Sequence, residues 1–167
     1  MDIVNRVARS GIVVYDLEKL WDGSPVRVLD IAPFLDQGLL VREKLFRKRA
    51  GAFDWAQFEG AHVAVHCSTD ALIPSWAWML VISRLTAAKS VELGSAEDVV
   101  RSWFAQALAK EEWFRFRGRI VVVKGCGAAI VPDSAYAGAM TRLMPVARKV
   151  MYGEPCSNIP IWRQHAD

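Results

Sequence analysis

The sequence has few cysteines, little net charge and no long hydrophobic run, and each scarcity excludes a class of protein. Its longest apolar stretch, residues 71–82, is broken by Pro74 and Ser75, so no segment reaches the ~18 apolar residues of a membrane span. A net charge of +3 is too small to imply a nucleic-acid partner by itself. Residues 1–6 lack the basic segment and apolar stretch of a signal peptide. We therefore predict a cytoplasmic protein without a membrane span.

Common catalytic signatures are also missing from the sequence. It has no GxGxxG, Walker, HExxH or GxSxG motif, so the enzyme families that carry these motifs lose support. Two segments, 42–49 and 113–119, combine basic residues with aromatic ones, as single-strand nucleic-acid binders do. Glutamates at 43, 111 and 112 reduce the positive charge in and beside these segments. A solvated helix face explains the first segment more simply, and an amphipathic segment before a strand explains the second. A nucleic-acid partner is not predicted.

Apolar and aromatic residues, by contrast, are abundant. Hydrophobic residues make up 53% of the chain and seven are tryptophans, which indicates a core built around large aromatic side chains. The length of 167 residues suits one domain of ordinary size. We predict a single α/β domain over residues 1–167.

The order of the elements predicts the class of fold. Short runs rich in valine and isoleucine indicate strands at 11–17, 26–31, 62–66, 90–93 and 120–124, with a further short one at 38–41. Helices are predicted at 42–50, 74–88, from Ser95 onward, and over 133–151 with a kink or break at Pro145. The helix at 74–88 is apolar nearly all round and is expected to be buried. The alternation from His62 onward predicts a mostly parallel or mixed sheet of four to six strands flanked by helices.

The three cysteines lie where cysteines that only pack would be unusual. Cys67 closes an apolar strand, Cys126 lies between two glycines just after another, and Cys156 lies in a loop bracketed by prolines. Loops at strand ends are where α/β folds place their chemistry. We therefore predict one shared site, with three sulfur ligands for zinc, iron or an iron–sulfur cluster.

Residues close to the cysteines supply the other candidates for this site. Asp70 and Glu154 are candidates for a fourth metal ligand, although Asp70 is equally suited to cap the following turn. Gly125 and Gly127 would let the backbone approach a bulky cofactor, and Lys124 would place a cation beside it.

A sequence pattern that occurs twice in the chain supports the shared site. Cys67 and Cys126 each follow a strand and precede a short loop that ends in proline, and each loop leads into a helix. We expect both strands to be parallel and to end at the same edge of one sheet, with the three sulfur atoms within about 4 Å of one another. Neighbouring side chains of a strand face opposite sides, so His66 is expected to pack or cap rather than to bind metal.

Two alternatives remain open at this level. In the first, the protein is a thiol-dependent redox enzyme or sulfur carrier, with Cys126 as the nucleophile and the other cysteines as resolving thiols. In the second, it is a structural or interaction protein whose cysteines merely pack, because free cysteine is often fully buried.

Four stretches of the sequence carry a resemblance to a known family: IVNRVARSGI, HCSTDALIPSWAWML, VVVKGCG followed by VPDSAY, and VMYGEPCSNIP. They resemble the bacterial domain-of-unknown-function family 2480, over residues 2–161. The resemblance places these residues on motif positions of the family: Cys67, Asp70, Pro74, Trp76, Gly125, Cys126, Gly127, Tyr136, Tyr152, Gly153, Glu154 and Cys156. His66 does not fall on one.

The family resemblance does not bring an established activity with it. Members of the family tend to be encoded near iron–sulfur assembly genes. The resemblance therefore implies an accessory role in iron–sulfur or sulfur metabolism, with iron–sulfur assembly proteins as partners. That implication rests on gene neighbourhood and not on a mechanism.

Overall fold

A computed structural model describes residues 11–124 and 129–164 of the chain. In this part of the chain, seven strands and four α-helices follow one another. The strands are β1 (Ile12–Asp16), β2 (Val26–Asp30), β3 (His62–His66), β4 (Ser90–Leu93), β5 (Ile120–Lys124), β6 (Lys149–Glu154) and β7 (Ser157–Arg163). The helices are α1 (Glu43–Ala52), α2 (Ser75–Ile82), α3 (Ala96–Lys110) and α4 (Asp133–Leu143).

The predicted α/β class is confirmed, and the seven strands divide between two sheets instead of joining one. One sheet has the order β2-β3-β4 and is parallel throughout. The other has the order β1-β5-β6-β7, in which β1, β5 and β6 are parallel and β7 is antiparallel to β6. Each sheet thus has a central strand with continuous apolar character, β3 in one and β5 in the other.

The two sheets belong to two compact units. Residues Gly23–Ser102 form a continuous unit, which holds β2, β3 and β4. The described residues of Met1–Asp22 and Trp103–Asp167 form a discontinuous unit, which holds the four-stranded sheet. The boundary falls within helix α3. The assignment of residues 1–167 to a single domain stays a prediction.

The core of the continuous unit lies between its sheet and helices α1 and α2. Val63 and Val65 of β3 are fully buried and belong to the same cluster as Phe46 of α1 and Ala77 and Val81 of α2. The ring of Phe46 meets other aromatic rings edge to face, an arrangement that adds to the free energy gained from buried area.

The discontinuous unit is built around buried aromatic residues. Tyr15 of β1 packs edge to face against Trp113 and Phe116, with ring centroids 5.4 and 5.3 Å away. Phe104 of α3 is fully buried and stacks on Trp21, with the ring planes 13° apart. The predicted use of large aromatics in the core therefore holds for both units.

Helix α3 begins as the sequence predicts. The Ser95 hydroxyl accepts a hydrogen bond from the Asp98 backbone N–H at 3.2 Å, while the Asp98 carboxylate accepts one from the Ser95 backbone N–H at 2.8 Å. This reciprocal pair satisfies donors that the first helical turn leaves without intrahelical partners. The hydrogen bonds from Ser95 hold the pKa of Asp98 below its usual value.

The prediction of a long, fully buried helix over residues 74–88 is wrong. Helix α2 ends at Ile82, and only Ala77 and Val81 within it are buried. Met79 is 70% exposed and Ile82 is 40% exposed. An apolar sequence allows burial on every side, but one sheet covers only one side of a helix.

None of the helices in the described residues has both the length and the apolar character that a membrane span requires.

Two further local predictions need correction. Helix α4 ends at Leu143 rather than running to Met151, and β6 begins at Lys149. Of the two outcomes predicted at Pro145, a kink or a break, the break is confirmed, because the helix ends before Pro145 and the chain beyond it pairs with β5 through backbone hydrogen bonds. Residues 38–41 are not a strand of either sheet, because residues 37–39 form a turn that an isolated bridge between Asp36 and Leu40 closes.

Candidate functional site

Cys67 directly follows β3 and is partly buried against the core of the continuous unit. Its Sγ lies 3.3 Å from the Thr69 hydroxyl oxygen, and that hydroxyl lies 2.6 Å from the Gly38 carbonyl oxygen. A carbonyl only accepts, so the single Thr69 proton goes to Gly38. The Cys67 thiol must therefore donate to Thr69, which gives a directed chain from Cys67 through Thr69 to Gly38.

A crevice of about 380 Å³ opens beside Cys67, at the carboxyl ends of β3 and β4. His66, Cys67 and Thr69 line it from the end of β3, and Leu93 and Gly94 from the end of β4. Side chains that lead into or lie on α2, among them Ile73 and Trp78, form its apolar wall. Crevices at the carboxyl ends of parallel strands are the usual ligand sites of open α/β sheets.

Asp30, the last residue of β2, lies beside this edge and is fully engaged. Its carboxylate accepts hydrogen bonds from the Ser68 hydroxyl at 2.6 Å, the Ser68 backbone N–H at 3.0 Å and the Ala32 backbone N–H at 3.0 Å. Partial burial by itself raises the pKa of Asp30, but these hydrogen bonds and the nearby His66 outweigh it, so the pKa is lowered. The network pins the chain after Cys67 to the end of β2.

The two described histidines have structural partners. His62 is fully buried, and its Nδ1 lies 2.7 Å from the Ser90 hydroxyl oxygen of β4. His66 is the register partner of Asp30 across the β2–β3 pair. His165 lies outside the described residues.

The corresponding edge of the discontinuous unit is charged. Lys124, the last residue of β5, places its ammonium 3.2 Å from the Asp16 carboxylate and 4.0 Å from that of Glu18. The hydrogen bond to Asp16 and the charges of Asp16 and Glu18 raise the pKa of Lys124, and Glu154 adds to this effect. Lys124 is thus held by this acidic group in the described structure.

Cys156 is exposed at the two-residue turn between β6 and β7. The Asn158 side chain donates to the carbonyls of Glu154 and Pro155, at 3.2 and 3.3 Å, and closes the turn. Gly153 has φ +125°, and a Cβ there would lie 2.6 Å from the Ser157 carbonyl oxygen, so the turn requires glycine at this position. A free thiol at a tight, exposed hairpin does not pack in a core.

Cys126, Gly125 and Gly127 lie outside the described residues. Cys67 belongs to the continuous unit and Cys156 to the discontinuous one, so the distance among the three sulfur atoms stays a prediction. Within residues 11–124 and 129–164, no group of three or more histidine, cysteine or acidic side chains is placed to hold a metal ion. Asp70 and Glu154 therefore complete no ligand set with the described cysteines.

The expectation that Cys67 and Cys126 follow strands of one sheet is wrong. Cys67 follows β3 of the three-stranded sheet, whereas the strand before Cys126 is β5 of the four-stranded sheet. The strands next to β5 are β1 and β6, and β6 is the one that precedes Cys156. The loop pattern of the two segments is alike because βα loops share a composition, and that likeness says nothing about which strands pair.

Two tyrosines that the family resemblance singles out meet in the discontinuous unit. Tyr136 of α4 and Tyr152 of β6 pack edge to face, with centroids 5.9 Å apart. Together with Met140, Met151 and Ile161 they line an apolar crevice of about 250 Å³.

The basic and aromatic segments are tied down by contacts within the chain. Arg47 pairs with Glu43 at 3.0 Å, and Arg49 donates to the carbonyls of Pro33 and Leu35. Arg115 pairs with Glu111 at 3.2 Å, and its guanidinium lies 4.6 Å from the Phe116 ring centroid.

Sequence reasoning missed Thr69, Gly38, Asp30 and Ser68, which build the edge of the continuous unit. An aspartate that ends a strand and a hydroxyl that follows the next strand were the available signals. Both are common in turns, so neither stands out without knowledge that β2 and β3 are neighbours.

Comparison with known proteins gives one match. The model of the family described as "Protein of unknown function (DUF2480)" matches residues 1–164. No curated protein and no solved structure matches the chain. The match spans nearly the whole sequence and agrees with the resemblance carried by the cysteine-containing stretches. The chain therefore belongs to the DUF2480 family of proteins of unknown function.

Proposed function

We propose that this protein binds zinc or an iron–sulfur cluster through Cys126 and Cys156. The observation that carries the proposal is the pairing of β5 with β6 as parallel neighbours, in which Val123 is opposite Tyr152. Cys126 comes two residues after the end of β5 in the sequence, and Cys156 two residues after the end of β6. Parallel neighbours lie about 4.8 Å apart, a spacing that two thiolates bound to one metal can bridge.

The residues around these strand ends support a metal-linked role. Glu154 ends β6 and remains the candidate for a carboxylate ligand. Lys124 ends β5 and would offset part of the negative charge of a thiolate-bound metal. Gly125 and Gly127 would allow close backbone approach to a cluster. Asp70 belongs to the other unit and is the weaker candidate of the two acids.

Metal analysis of serine variants tests the proposal. Protein purified without oxygen is assayed for zinc and iron and by its absorption spectrum, with Cys126→Ser, Cys156→Ser and Cys67→Ser compared. Cys126→Ser and Cys156→Ser should each remove most of the metal and lower the melting temperature, because metal binding to the folded state is linked to folding. Cys67→Ser is the matched control and should keep its metal.

Other outcomes overturn the proposal in distinct ways. Wild-type protein free of zinc and iron, or unchanged metal in both Cys126→Ser and Cys156→Ser, would end the metal proposal. Equal loss in all three variants would replace the pair by the three-cysteine ligand set predicted from the sequence.

The same strand pairing favours a second candidate, thiol–disulfide exchange. The Cys126 thiolate would attack a substrate disulfide, forming a mixed disulfide and releasing the first substrate thiol. Cys156 would then attack Cys126 Sγ, releasing the second substrate thiol and leaving a Cys126–Cys156 disulfide. In this reaction the substrate is reduced by two electrons and the cysteine pair is oxidised by two.

A trapping experiment separates this candidate from metal binding. With metal-free protein and oxidised glutathione as the probe, Cys156→Ser should accumulate the mixed disulfide, whereas Cys126→Ser should form none. Cys67→Ser should behave as the wild type. Equal, slow labelling in all variants would contradict the exchange reaction.

An accessory role in iron–sulfur or sulfur metabolism, with iron–sulfur assembly proteins as partners, is part of the same proposal. It is supported by the proposed pair of Cys126 and Cys156, because cysteine thiolates are the usual ligands of iron–sulfur clusters. Co-purification with iron–sulfur assembly proteins that is lost in Cys126→Ser tests it, and co-purification that survives this variant would contradict a role for the cysteine site.

A further inference from the structure

The crevice beside Cys67 is lined only by residues of the continuous unit and includes neither member of the proposed cysteine pair. It measures about 380 Å³, within the range of ligand pockets, and lies at the carboxyl ends of two parallel strands. Open α/β sheets bind ligands at this edge because the loops there carry side chains and backbone groups with no ladder partners.

The lining of the crevice indicates what it would accept. Val65, Ile73, Trp78 and Leu93 provide apolar wall, and among the described lining residues there is no aspartate, glutamate, lysine or arginine. Apart from the His66 ring, a charged ligand would meet no counter-ion among these residues and would lose hydration there. An uncharged and mostly apolar molecule would not suffer this loss.

The polar side of the crevice is held in place by the directed chain from Cys67 through Thr69 to Gly38. Since both protons of this chain are already donated, its sulfur and hydroxyl oxygen face a ligand as acceptors only. A ligand that brings an N–H or O–H donor is therefore matched to this side, and a ligand with acceptors alone is not.

The crevice is also open for entry. Leu72 lines it and is 93% exposed, so a large apolar side chain stands in solvent at its rim. Covering this side chain would remove apolar area from water, which favours binding.

From these observations we infer that the crevice at the carboxyl ends of β3 and β4 binds a small, uncharged and mostly apolar molecule. The apolar body lies against Trp78 and Ile73, and one N–H or O–H group donates to the Cys67–Thr69 side. This site is independent of Cys126 and Cys156, so its failure and the failure of the metal proposal are read from different residues.

Cys67 itself reports on occupancy. Full-length protein is treated with iodoacetamide in the presence or absence of millimolar indole, and the alkylation rate of each cysteine is read by peptide mass spectrometry. Indole is flat, uncharged and carries one N–H. It should slow alkylation of Cys67 several-fold and leave Cys156, the internal control, unchanged.

Benzofuran provides the matched probe, because it has the shape of indole with an ether oxygen in place of the N–H. Losing one hydrogen bond of ~1 kcal/mol corresponds to about fivefold weaker binding, so benzofuran should protect Cys67 less than indole by about that factor. Thr69→Val should weaken indole by a similar factor and should narrow the difference between the two probes.

A variant that fills the crevice provides a further test of the site. Ala71→Phe places a ring in it and should abolish protection, whereas Ala137→Phe, which lines the crevice of the other unit, should not. If Ala71→Phe fails to fold, the benzofuran and Thr69→Val arms decide. No protection of Cys67 by either probe, or equal protection of Cys156, would overturn the site. Equal protection by both probes would overturn the donor requirement.

Discussion

The first strand of each sheet ends in an aspartate that makes the same local turn, and the two aspartates then differ in their partners. The Asp16 carboxylate accepts from the Glu18 backbone N–H at 3.2 Å, and the Asp30 carboxylate from that of Ala32 at 3.0 Å. In both places a short 3₁₀ helix follows. Local sequence explains this likeness, since aspartate readily bonds to the backbone two residues on.

The difference lies in what the neighbouring strand brings to each aspartate. Across from Asp16 the register places Lys124, and an ion pair forms. Beside Asp30, Ser68 supplies a hydroxyl and a backbone N–H. Asp16 is thus paired with a cation, whereas Asp30 is held mainly by a hydroxyl and backbone N–H donors. The two strand ends are also proposed to bind different ligands, a metal with thiolates in one case and an uncharged, mostly apolar molecule in the other.

The sharpest way to test the separation into two units is to remove one core ring from each. Phe46 and Phe116 are fully buried. Phe46→Ala and Phe116→Ala should each lower the free energy of unfolding of the unit that holds the ring by about 3–5 kcal/mol. Denaturant titration measures the loss, and hydrogen exchange locates it.

Phe114, which is 65% exposed, is the matched control for these two rings. Phe114→Ala should change the free energy of unfolding by less than about 1 kcal/mol. A loss that small for Phe46→Ala or Phe116→Ala would contradict the core assignment of the unit concerned.

Alkaline pH should destabilise the discontinuous unit more than the continuous one, because all three tyrosines lie in the discontinuous unit. Burial, and then the charge of Glu111, raise the pKa of Tyr15. Its contribution to stability is therefore fully present below the unfolded tyrosine pKa of about 10 and is lost as pH rises towards the folded pKa.

Tyr15→Phe should remove this alkaline loss of stability. Denaturant titrations of wild type and Tyr15→Phe between neutral pH and about pH 11 make the comparison, and the wild type should fall more steeply above pH 10. Parallel curves for the two proteins would contradict the raised pKa.

One threonine in each unit allows a further comparison, in which the expected changes in unfolding free energy are smaller. Thr69 donates to the distant Gly38 carbonyl, whereas Thr141 donates to Gly138 within its own helix and is exposed. Thr69→Val should cost about 1 kcal/mol of unfolding free energy, and Thr141→Val less than about 0.5 kcal/mol. Thermal and chemical unfolding measure both variants, and equal costs would argue against a structural role for the Cys67–Thr69–Gly38 chain.

The aspartates themselves give the smallest expected effect. Asp30→Asn should cost about 1 kcal/mol or less at neutral pH. Because the pKa of Asp30 is lowered in the folded state, this contribution is present above the unfolded pKa of about 3.9 and is lost as pH falls through the folded pKa. The difference between wild type and Asp30→Asn should therefore shrink in acid.

Salt separates the two aspartates. The cost of Asp16→Asn should decrease as salt is added, because the ion pair with Lys124 is partly exposed and is screened. The cost of Asp30→Asn should change little, since its main partner is a hydroxyl. Similar salt dependence for the two variants would remove the distinction between an ion-paired aspartate and one held by neutral hydrogen-bond donors.

Much of the local structure was predictable from residue pattern. The strands at 62–66, 90–93 and 120–124 and the Ser95 cap follow from apolar runs and from serine chemistry, which act over a few residues. The end of helix α4 and the strands β6 and β7 were not predictable in this way. Residues 149–151 continue an apolar pattern that suits either element, and pairing with β5 decides for the strand.

The candidate site, too, was predictable where it depends on local sequence and not where it depends on strand pairing. The sequence by itself determined that Cys67 and Cys156 lie at the ends of strands or in turns, and that the chain belongs to the α/β class. Only the tertiary structure decided that β3 and β5 belong to different sheets, that β6 is the neighbour of β5, and that Thr69 meets Gly38. The physical reason is that parallel pairing joins strands far apart in the chain, and buried valine-rich strands carry little information about which neighbour each will take.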